Sequence, residues 1–190
     1  MVIKRTEEVV EMENGNRIHC YENHTTLDEL KKAADEALGE YEKDPSLKNQ
    51  LATLYATAEV SYAAGQREEA ADYLESELEK ITEIDSAPEV LLAFMDTTSL
   101  MAEFWMKLKH LDKALEYAKV VLDIAERHFP DTLELIYAQE LYACVCTLRG
   151  DKETAKEYYS EAISSLQGEL SEAQALLKNM KLSLADLNDE

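Results

Sequence analysis

Three times this chain writes Ala, any residue, an acid and Tyr. The copies are Ala70-Ala71-Asp72-Tyr73, Ala114-Leu115-Glu116-Tyr117 and Ala155-Lys156-Glu157-Tyr158, at intervals of 44 and 41 residues. A second alanine, Ala58, Ala102 or Ala143, stands 12 residues before each copy. Two small residues held at one offset in three copies predict pairs of helices that cross closely where the alanines meet. A pair of this kind cannot bury its apolar face alone, so the pairs are expected to stack into an array. Arrays present surfaces more often than reaction centres, which turns the functional question toward binding.

The rest of the sequence agrees with helices. Only five glycines and three prolines occur in 190 residues, and 46% of the chain is hydrophobic. That favours helix over strand, and the length suits one domain with a real core. Thr26-Leu27-Asp28-Glu29 reads as a capping box, opening a helix to about Lys43. Further helices are expected over 45–64, 66–84, 88–108, 111–128, 132–148, 151–166 and 171–187. The helix from Pro88 is apolar nearly all round, which predicts neighbours on several sides. Gly65, Lys109 and Gly150 fall at the turn inside each pair. Residues 1–24 differ. They read either as a β-hairpin around Asn14-Gly15-Asn16, with Met12 opposite Ile18 and Val10 opposite Cys20, or as a flexible appendage.

The three units resemble the tetratricopeptide repeat (TPR). The third matches best: Tyr142-Ala143 and Cys146 on a first helix, Gly150-Asp151 at the turn, then Ala155, Tyr159 and Ala162. The second has Met101-Ala102 with Trp105, then Ala114 and Ala118; the first has Thr57-Ala58 with Ser61, Gly65, Ala70 and Leu74. Intervals of 41 and 44 exceed the usual repeat of about 34 residues. They look like the longer-helix variety of kinesin light chain-like repeats, and His128-Phe129-Pro130-Asp131-Thr132 is similar to the inter-repeat segment of that variety. The resemblance spans roughly 50–166. It implies an all-α, right-handed superhelical array of antiparallel helix pairs, with units at about 50–84, 88–128 and 131–167. Helices 26–43 and 171–187 would cap it, and residues 25–190 would form one repeat domain.

The resemblance also implies where a partner would bind. First helices of such arrays line a concave groove. By alignment the groove positions are Tyr55, Glu59 and Tyr62; Ser99, Glu103 and Met106; and Tyr137, Glu140, Cys144 and Thr147. Aromatic residues with one acid per unit suit a peptide or helix that carries a basic residue among apolar ones. For Met106 and Cys144, inter-helix packing is at least as good a reading. Chaperone-binding relatives clamp an acidic C-terminus with basic groove residues. Tyr55, Ala56, Glu59, Ala63 and Ala64 occupy the nearest places here, so that ligand is not expected.

Charge narrows the partners. Forty acids against 19 bases give a net charge of −21, which opposes direct nucleic-acid binding and favours encounter with basic partners. The second helix of the first unit carries Glu68, Glu69, Asp72, Glu75 and Glu79. That acidic face is expected to be solvated. The alternative is an acidic inhibitor, or nucleic-acid mimic, that blocks a basic site on a nucleic-acid-binding protein. No metal or other cofactor is expected. Cys144 and Cys146 are two apart on a helix and point to different sides, and His19, Cys20 and His24 lack a fourth ligand. No catalytic motif is present, so the expected function is non-enzymatic: an adaptor or a peptide-binding chaperone. The three thiols and the lack of a leader or spanning segment suggest a cytoplasmic protein away from membranes. Apolar surface on the long helix from Pro88, or at Leu176, Leu177 and Met180, would suit a homodimer.

Overall fold

The computed structural model describes the backbone of residues 5–11, 17–23 and 25–168, and the side chains of 25–168. Two strands, β1 (Arg5–Glu11) and β2 (Arg17–Asn23), are followed by helices α1 (Leu27–Lys43), α2 (Leu47–Ala63), α3 (Arg67–Leu78), α4 (Pro88–Lys107), α5 (Leu111–His128) and α6 (Leu133–Arg149). A seventh helix, α7, runs over 152–168. The expected helix 171–187 lies outside the described residues. Helices α2 and α3, α4 and α5, and α6 and α7 form three successive pairs, and α1 packs on α2. This is a TPR-like solenoid.

The alanines do what their spacing implies. Ala58, Ala102 and Ala143 on the first helices, and Ala70, Ala114 and Ala155 on the second, are all buried. A larger side chain there would push the two helices apart. The acids of the repeated motif, Asp72, Glu116 and Glu157, face water. Its tyrosines divide. The Tyr117 hydroxyl donates to Glu75 of the preceding unit at 2.9 Å. Tyr158 stands edge-on to Tyr142 at 4.9 Å. Tyr73 is exposed, because the only described helix before its unit is α1.

The turn inside each pair is one motif used three times. The amides of Gly65, Lys109 and Gly150 donate to the carbonyls of Tyr62, Met106 and Thr147 at 3.0–3.1 Å. The next amides, of Gln66, His110 and Asp151, reach back to Ser61, Trp105 and Cys146 at 2.8–3.0 Å. This double closure requires a left-handed residue at the first position. Gly65 and Gly150 adopt it at φ 93° and 89°, and Lys109 is forced to φ 66°. A Cβ in that region costs about 1–2 kcal/mol. Lys109→Gly is therefore expected to raise stability by up to about 1 kcal/mol, the gain being trimmed by glycine's extra freedom when unfolded. Urea denaturation checks this, and a destabilised variant would contradict it.

The units are tied laterally. Glu75 of α3 accepts from Lys113 Nζ at 2.7 Å as well as from Tyr117. The same Lys113 ammonium lies 4.0 Å from the centre of the Trp105 ring, and the His110 ring stands T-shaped to that ring with centroids 5.3 Å apart. Arg149 of α6 pairs with Asp112 of α5 at 2.8 Å. The main core runs continuously from Leu51 on α2 through Met101, Phe104 and Trp105 on α4 to Val145 and Leu148 on α6. The expected capping box is present: the Glu29 amide donates to the Thr26 hydroxyl at 3.3 Å and the Thr26 amide to the Glu29 carboxylate at 2.8 Å.

Two expectations are corrected. Helix α3 ends at Leu78 and not near Ile84. The amides of Lys80 and Ile81 bond three residues back, to Glu77 and Leu78, which tightens the last turn. Ile81 then packs, half-buried, against the core, and Ala87 is held extended before Pro88. In the hairpin, Val10 pairs with Ile18 and Glu8 with Cys20. The register is two residues from the expected one, because Glu11 and Arg17 form the last pair and five residues connect the strands. A shift of two preserves the period-2 parity of both strands.

Candidate functional site

Helices α2, α4 and α6 are the first helices of their units and carry all ten expected groove residues. Tyr55 and Glu59 are spaced four apart on α2, while Asp96, Ser99 and Glu103 fall at intervals of three and four on α4, so each set shares one helix face. All except Asp96, which is exposed, are half-buried. Glu140 and Tyr137 on α6 are exposed, Tyr137 at 62%.

Four of the ten serve the scaffold. Met106 is buried in the core. Cys144 is buried, with its Sγ 3.1 Å from the Tyr159 hydroxyl. The Thr147 hydroxyl donates to the Ala143 carbonyl at 2.8 Å. Tyr62 stacks on Phe104 with centroids 4.1 Å apart and planes at 15°, joining α2 to α4. Arg67 and Lys107 place cations 5.4 and 5.9 Å from its ring centre.

The acids among the other six, Glu59, Glu103 and Glu140, form a field of carboxylates across three helices together with Asp96 and Glu134. Burial raises the Glu103 pKa above its ordinary 4.5; the Lys107 ammonium opposes that, and Glu140 adds to it. Burial likewise raises Glu59, with Glu103 pushing further and Lys107 resisting. Partial desolvation beside the neighbouring helix raises Asp96, and Glu134 adds to it. The Tyr55 phenol is raised by burial first and then by Glu59, Glu103 and Asp96. These acids on α2, α4 and α6 therefore feel one another, and Lys107 is the base that acts on both central carboxylates. The sequence reading missed Asp96, Glu134 and Lys107. Asp96 was legible, because it lies three and seven residues before Ser99 and Glu103, which places it on the same helix face.

This has a sign for stability. An acid whose pKa is higher in the fold than in the unfolded chain destabilises the fold at neutral pH. The penalty vanishes below the unfolded value, near 4.5 for Glu, and grows as pH rises through the folded value. Glu29 runs the other way: the Thr26 amide and hydroxyl lower its pKa, so its contribution is lost in acid. The comparison must therefore be with a variant. Glu103→Gln is expected to melt above the parent at pH 8 and to converge with it near pH 4. Melting curves at both pH values check this; a variant that melts lower at pH 8 would contradict it.

The second-helix acids divide too. Glu68, Glu69, Asp72 and Glu79 are exposed, whereas Glu75 is committed to Lys113 and Tyr117. Cys144 contacts Tyr159 while Cys146 contacts Tyr142, on different sides of α6. Among the described residues no group of three His, Cys, Asp or Glu is placed to hold a metal, and no helix is long and apolar enough to cross a membrane. The side chains of His19, Cys20 and His24 lie outside the described residues.

No family model and no curated protein matches the sequence. Solved structures do match its fold. The chain is similar to BtubC (BKLC) from P. vanneervenii, with a TM-score of 0.58 and 19% identity over 74% of this chain and 56% of that one. It is similar also to a putative kinesin light chain from Podosopora anserina with nearly identical TPR-like repeats, with a TM-score of 0.56 and 16% identity over 75% of this chain and 69% of that one. The chain thus spans little more than half the length of the first. At these identities the likeness is one of fold.

Proposed function

We propose that this TPR-like array is a non-enzymatic protein-interaction module whose first-helix face takes a peptide or helix bearing Lys or Arg among apolar residues. The observation that supports this is the half-buried pair Glu59 and Glu103, which repel each other and share Lys107 as their base. Two carboxylates drawn partly out of water with one ammonium acting on both keep an unbalanced charge, and a guanidinium or ammonium set beside them would relieve that cost. Tyr55 and the exposed Tyr137 offer amphipathic surface for the apolar residues of the same ligand. The net charge of −21 would speed encounter with such a partner and make the rate sensitive to salt.

The test is anisotropy of labelled peptides that place Lys or Arg among Leu and Phe, titrated with the full chain. Glu59→Gln with Glu103→Gln is expected to weaken binding several-fold. Glu68→Gln with Glu69→Gln and Asp72→Asn should change only the salt dependence. If the second set abolishes binding and the first leaves it intact, the acidic outer face is the site, as for an inhibitor that mimics nucleic acid. Equal binding of peptides lacking bases would also overturn the proposal.

A further inference from the structure

The repeat intervals allow the first helices to be compared unit by unit, and one base breaks the pattern. Steps of 44 and 41 residues relate Glu59 on α2 to Glu103 on α4 and to Cys144 on α6. The same steps relate Ala63 to Lys107 and to Leu148. Two units thus put an acid in one row, and the middle unit alone puts a base in the row beside it. In the third unit both places are closed, since Cys144 contacts Tyr159 and Leu148 is buried in the core. Lys107 stands one turn after Glu103, on the same side of α4. Its Nζ lies 5.9 Å from the centre of the Tyr62 ring, and Tyr62 is three residues after Glu59 on α2. The ammonium therefore sits where α2 and α4 meet, within the field of one acid from each. Among the described residues, no direct ion pair ties it to either. Glu59, Glu103 and Lys107 are all half-buried, so two carboxylates and one ammonium leave a single negative charge that water screens poorly. The groups beside them, Glu140 and Arg67, are exposed and opposite in sign.

We propose that Lys107 is a specificity-determining residue of this face, which makes it select ligands with one base over ligands with two adjacent bases. The role rests on the base-selective face proposed above and names its ligand more narrowly. One Lys or Arg completes the balance with Glu59 and Glu103. A second base beside the first finds no uncompensated carboxylate there, and it meets the Lys107 ammonium, a like charge at close range. Discrimination then comes from a repulsive group as well as from an attractive pair. Without Lys107 the two acids would suit two bases. The overall charge of −21 does not supply this selection, because it draws a cationic peptide more strongly the more bases the peptide carries.

The test is anisotropy of two labelled peptides of equal length, built on Leu and Phe with either one Lys or two adjacent Lys. Each is titrated with the full chain at physiological ionic strength, where exposed charges are largely screened. The readout is the ratio of the two affinities. The parent is expected to bind the peptides nearly alike, and Lys107→Met, which keeps the length and the apolar stem, to favour the two-base peptide several-fold. Lys107→Arg should keep the parent ratio. So should Lys119→Met, which removes one exposed base from α5 and changes the net charge equally. Should Lys107→Met lose helicity by circular dichroism, Lys107→Gln makes the same comparison. A ratio that neither substitution of Lys107 moves, or that Lys119→Met moves as far, would overturn the role of Lys107 and leave the base-selective face standing. Failure of both peptides to bind the parent would overturn the two together.

Discussion

Met101→Ala is expected to destabilise the chain by about 2–5 kcal/mol, the cost of removing a long side chain from a site that cannot collapse. Met101 is fully buried on α4, in the one core cluster that draws residues from α2, α3, α5 and α6 as well. The cavity would open where all three units meet. Domains of this size hold about 5–15 kcal/mol in total, so the variant gives up a large share of it. Urea denaturation followed by circular dichroism measures the loss. A change below about 1 kcal/mol would mean that the middle of the array repacks freely, against the density expected of protein interiors.

Ala102→Leu should cost about 1–3 kcal/mol for the opposite reason, since overpacking forces neighbours from their rotamers. Ala102 and Ala114 are both buried where α4 crosses α5, and both belong to the alanine pattern read from the sequence. The added methyls would have to separate the two helices. The same exchange at Ala63, exposed at the end of α2, is expected to be nearly neutral. If the two variants melt alike, the alanines are composition and not architecture.

These two residues also mark how far the sequence could be read. The alanine offsets carried the helix pairing, because close approach of two backbones demands small side chains at fixed places. The turns were legible through Gly65 and Gly150, and Lys109 was found only by its place in the repeat, since nothing local marks a lysine as left-handed. The end of α3 was not legible. Three β-branched side chains, Ile81, Thr82 and Ile84, lower helix propensity there, but no Gly or Pro stands before Pro88 to mark the end, and the tight last turn that sets Ile81 against the core is made only in three dimensions. The candidate face was half legible. Tyr55, Glu59 and Glu103 came from alignment with repeat geometry, but alignment could not tell which side chains the neighbouring helices would claim. Tyr62, Met106 and Cys144 were claimed, and Asp96 and Lys107 were left to shape the field.

Trp105 is the single tryptophan of the chain, and it is buried at the middle of the array with an ammonium over its ring and an imidazole T-shaped to it. The protein therefore carries one intrinsic fluorophore of this kind, placed to report on its central unit alone. Emission would shift to the red when α4 and α5 part, while circular dichroism would register every helix at once. In an array held by neighbour contacts, the two signals need not coincide. An end unit that frays first would appear as lost ellipticity with unchanged emission, so the order in which the units melt can be followed without adding a label.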